Sequence, residues 1–79
     1  MAEKRYFAIV MPQGRFEAIS LAGYDRGSKV IHSRGQWGFA LDYYPDEAVS
    51  YQREFGEGII GDFATRGEAM VAILVRMHG

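Results

Sequence analysis

Residues 65–78 constrain this chain more than any other stretch. Thr65-Arg66-Gly67-Glu68 matches a helix capping box. The Thr side chain accepts from the backbone N–H three residues on, and the Glu reaches back toward the Thr N–H. Met70, Ile73, Leu74 and Met77 follow at i, i+3, i+4 and i+7, one face of a helix. Val71, Val75 and His78 widen that stripe, leaving Glu68, Ala72, Arg76 and Ala69 for water. The apolar arc is about twice the roughly 100° that one core-facing stripe needs. A helix of this kind must lie on a sheet, and it carries more apolar surface than one small sheet covers.

The rest of the chain supplies the sheet. Tyr6-Phe7-Ala8-Ile9-Val10-Met11 is continuously apolar, the mark of a strand covered on both faces, and Pro12-Gln13-Gly14 breaks it. Arg15 to Leu21 reads as the return strand of a hairpin. Gly23-Tyr24-Asp25-Arg26-Gly27 has loop composition, and Lys29 to Ser33 is a short third strand. Arg34-Gly35 suits a tight turn. Beyond it Trp37, Phe39, Leu41 and Tyr43 alternate with Gly38, Ala40, Asp42 and Tyr44, a half-buried strand with its aromatic side in the core.

The segment Pro45 to Phe55 fits two descriptions. Pro45 followed by Asp46 and Glu47 can open a helix, with Ala48, Tyr51 and Phe55 on one face. Val49, Tyr51, Arg53 and Phe55 alternate as a strand does, and this alternation tips the expectation toward strand. The expected fold is one α+β domain over residues 1–79. Its antiparallel sheet of four to five strands packs against one C-terminal α-helix as a two-layer sandwich. The apolar surplus on Val71 and Val75 is then an expected oligomer interface, as in a homodimer, unless 45–55 folds over the sheet.

With 79 residues and no cysteine, stability rests on apolar packing, and the chain is 48% hydrophobic. The lack of Cys fits a reducing compartment. No signal-like start and no apolar run near 18 residues is present, so a soluble, cytoplasmic protein is expected. Charge is unevenly distributed. Residues 1–35 carry Lys4, Arg5, Arg15, Arg26, Lys29 and Arg34 against Glu3, Glu17 and Asp25. Residues 36–62 carry only Arg53 against Asp42, Asp46, Glu47, Glu54, Glu57 and Asp62.

Nothing in the chain spells catalysis. His32 and His78 lie on different elements with no metal-ligand spacing, so neither a metal nor a cofactor is expected. No serine sits in a nucleophile elbow. Gly56-Glu57-Gly58-Ile59-Ile60-Gly61 has the G-x-G-x-x-G spacing but lacks the strand and helix that a phosphate cradle needs, and reads as a loop. The expectation is therefore a non-catalytic binder.

Two resemblances bear on what is bound. Gly61-Asp62-Phe63-Ala64-Thr65-Arg66-Gly67-Glu68-Ala69 resembles the strand-to-helix joint of three-stranded DNA-binding domains of the plant AP2 and phage-integrase arm type. There a Gly-x-Phe-x-Thr-x-x-Glu-Ala pattern caps the helix. The resemblance implies a strand leading into a capped helix. DNA reading in those domains uses preceding strands rich in Arg, Lys and Trp, whereas Asp42 to Asp62 is acidic and repels phosphate. In size, lack of Cys, aromatic content and charge segregation the chain is similar in type to small phage proteins that inhibit host machinery, anti-CRISPR proteins among them. No motif is shared with them.

A protein partner with a basic surface is thus expected, docking on Asp42, Tyr44, Asp46, Glu47, Tyr51, Glu54 and Glu57. Carboxylates steer toward basic surfaces and tyrosine gives contact area at low entropic cost. The alternative is nucleic-acid binding through the basic N-terminal residues Arg15, Tyr24, Arg26, Lys29 and Arg34.

Overall fold

The computed structural model describes residues 3–15 and 30–78. Its centre is β1 (Arg5–Pro12). As its unbroken apolar run requires, both faces are covered: Phe7, Ala8, Ile9 and Met11 are all but inaccessible. β2 (Ile31–Ser33) and β3 (Gln36–Tyr43) form a hairpin, and β4 (Ile59–Phe63) completes a sheet of order β2-β3-β1-β4. Every pairing is antiparallel. Arg34 and Gly35 join β2 to β3 with φ of 52° and 75°, the pair of positive angles that a two-residue hairpin loop demands.

β1 is flanked on one edge by β3 and on the other by β4, the latter from Tyr6 to Ile9. Of the hairpin partner expected at Arg15 to Leu21, only Arg15 is among the described residues. The backbone is instead helical at 13–15, and residues 16–21 lie outside the described residues, as do the loop expected at 23–27 and Lys29.

The segment expected to be a strand at 45–55 is helical. Pro45–Glu47 forms one 3-10 turn and α1 (Ala48–Phe55) continues it. Glu47 locks the start: its backbone N–H donates to the Tyr44 carbonyl at 2.8 Å, and its carboxylate accepts from the Tyr44 N–H at 3.0 Å. Tyr51 and Phe55, four residues apart, drop from α1 onto the sheet face formed by Phe7, Ile9, Met11, Phe39, Leu41 and Tyr43. Phe7 stacks on Tyr43 at 4.0 Å, and Phe39 meets Phe55 edge-on at 5.8 Å. This helix adds a third layer to the expected two-layer arrangement.

The opposite face takes the expected C-terminal helix, α2 (Arg66–His78). The Thr65 hydroxyl accepts from the Glu68 N–H at 3.2 Å and donates to the Glu68 carboxylate at 3.0 Å. The box thus closes on the hydroxyl rather than on the Thr65 N–H. Below α2 the sheet presents Ala8, Val10, Gly38 and Ala40, a shallow trough of small residues. That trough lets the helix sit close, so Ala69, Ile73 and Met77 are the residues buried against it. Relative to expectation the helix is rotated: Ala69 turns in and Leu74 turns out.

β4 carries the predicted glycine loop's second half. Gly58 packs against Met11 and Ile9, and Ile59, Ile60 and Gly61 are in the strand rather than in a loop. The register with β1 shifts between Ala8 and Ile9, so Ile60 is the extra residue of a bulge. Among the described residues no helix is long and apolar enough to cross a membrane.

Candidate partner-binding surface

The acidic segment is divided by α1. An eight-residue helix is about 12 Å long, and the carboxylates gather at its two ends. At the first end, Lys4, Asp42, Tyr43, Tyr44, Asp46 and Glu47 line a cleft of about 480 Å³. At the other, Glu54 and Glu57 are exposed, and Glu57 borders a smaller cleft with Met11, Pro12 and Arg15.

Not every expected contact residue is available. Tyr51 is only 6% exposed, with its ring in the core beside Phe55 and its hydroxyl 3.5 Å from Glu47. It presents no surface to a partner, because the helical spacing that makes α1 amphipathic turns it inward. Glu47 is half-buried and holds the Tyr44 N–H, so its carboxylate serves the turn. Asp42 pairs with the Lys4 ammonium at 3.0 Å. That hydrogen bond holds the Asp42 carboxyl below its ordinary range against the opposing effect of partial burial, and Arg66 contributes in the same sense. The Lys4 ammonium is correspondingly pushed up by Asp42. Lys4 also lies 5.9 Å from the Tyr44 ring centroid.

What remains exposed at this end is Tyr44, at 46%, and the Asp46 carboxylate, which makes no ion pair among the described residues. Sequence reasoning missed Lys4 as a member of this corner. It sits far from the acidic segment in the chain, and only the pairing of Arg5 with Tyr43 brings it alongside Asp42.

The expected basic set is not assembled among the described residues. Arg15 donates to the Glu54 carbonyl at 3.1 Å, and Arg34 is exposed at the β2–β3 turn. Tyr24, Arg26 and Lys29 lie outside the described residues. Arg5 pairs with Asp62 at 3.1 Å. His32 packs edge-on against Trp37 at 4.4 Å, across the β2–β3 hairpin. Among the described residues no three His, Cys, Asp or Glu side chains converge as a metal site. Val71 and Val75, the expected oligomer contacts, are both exposed on α2.

Comparison with protein families, with curated proteins and with solved structures finds no match for this chain.

Proposed function

We propose that this protein is a non-catalytic binder that docks its Tyr44–Asp46 corner, with Glu54 and Glu57 at the far end of α1, on a basic surface of another protein. The observation that carries this reading is the exposed Tyr44 ring beside a carboxylate, Asp46, that no cation in the described structure neutralises. An exposed aromatic ring with an unpaired carboxylate near it suits a partner that presents Arg or Lys, even though Lys4 lies on one side of the ring. Blocking such a site by occupation is how the phage-type inhibitors that the chain resembles in composition would act, and it needs no catalytic group.

Asp46→Lys and Tyr44→Ala test the placement. Neither side chain contributes to the buried core, so both variants should keep the wild-type melting temperature. Proteins captured from the host by wild-type protein are purified and their affinity is remeasured with each variant. Each variant is expected to weaken binding at least tenfold, about 1.4 kcal/mol. A captured partner that binds wild type and both variants equally would overturn the placement. The Glu47 carboxylate is left intact because reversing it would unlock the turn.

A further inference from the structure

We draw no further inference here: the strongest candidate, the exposed apolar strip of Val71, Leu74 and Val75 on the outward side of α2 with the groove beside it at Phe63 and Gly67, carries nothing because nothing in the structure shows what covers it.

Discussion

Single residues set how closely the layers approach. Gly38 faces α2, and a Cβ there would lie 2.8 Å from Met77 Sδ and closer still to Ile73 Cγ2. Both side chains are buried and have little room to retreat. Gly38→Ala should therefore destabilise the protein by about 1–3 kcal/mol, read from the urea midpoint. An unchanged midpoint would mean that α2 rides higher than described. Tyr43 acts on the other face. Its ring is stacked on Phe7 in the core, while its hydroxyl reaches the rim where Arg5 meets Asp62. Burial, and Asp62 beside it, push the phenol above its ordinary value. A folded-state value above the unfolded one means that this stability is whole below about pH 10 and is lost as pH rises through the folded value. Urea midpoints followed from about pH 8 to 11 should fall less steeply in Tyr43→Phe than in wild type. Parallel slopes would deny Tyr43 this role.

Elements differ in how far local residues determine them. α2 was legible because its start is written in four residues and its core side in their spacing. Thr65→Ala removes both the acceptor for the Glu68 N–H and the donor to its carboxylate. It should cost about 1 kcal/mol, seen as a lower melting temperature with an unaltered spectrum; no loss would make the box ornamental. Which face of α2 turns inward was less legible. Hydrophobicity favours Leu74 over Ala69, but the trough of Ala8, Gly38 and Ala40 accepts the smaller side chain and a closer helix. The segment 45–55 could not be settled locally. Tyr51 and Phe55 share a face in a helix and also in a strand, so the core residues are the same either way. The choice is made by the sheet, whose aromatic face is left open unless α1 covers it. The acidic corner was half legible for a related reason. Its carboxylates are adjacent in sequence, whereas Lys4, which neutralises Asp42, is brought in by strand pairing. The same helical turn that forms α1 removes Tyr51 from the surface.

At the scale of the whole molecule, two cores share one sheet. β1 gives Phe7, Ile9 and Met11 to the α1 side and Ala8 and Val10 to the α2 side, and β3 alternates in the same way. Neither core can loosen without disturbing a strand that the other needs, so the domain should unfold as one unit. Ile73 and Trp37 allow a direct test. Ile73 is fully buried under α2, whereas Trp37 packs beside the core on the α1 side. Ile73→Ala should cost about 2–5 kcal/mol. That is a large share of the roughly 4–12 kcal/mol expected for a chain of this length. The emission of Trp37, across the sheet from the substitution, should lose its native value at the same lowered urea concentration as far-UV circular dichroism. If the dichroism transition moved while Trp37 kept the wild-type midpoint, the two faces would be separate cooperative units and the shared strands would not couple them.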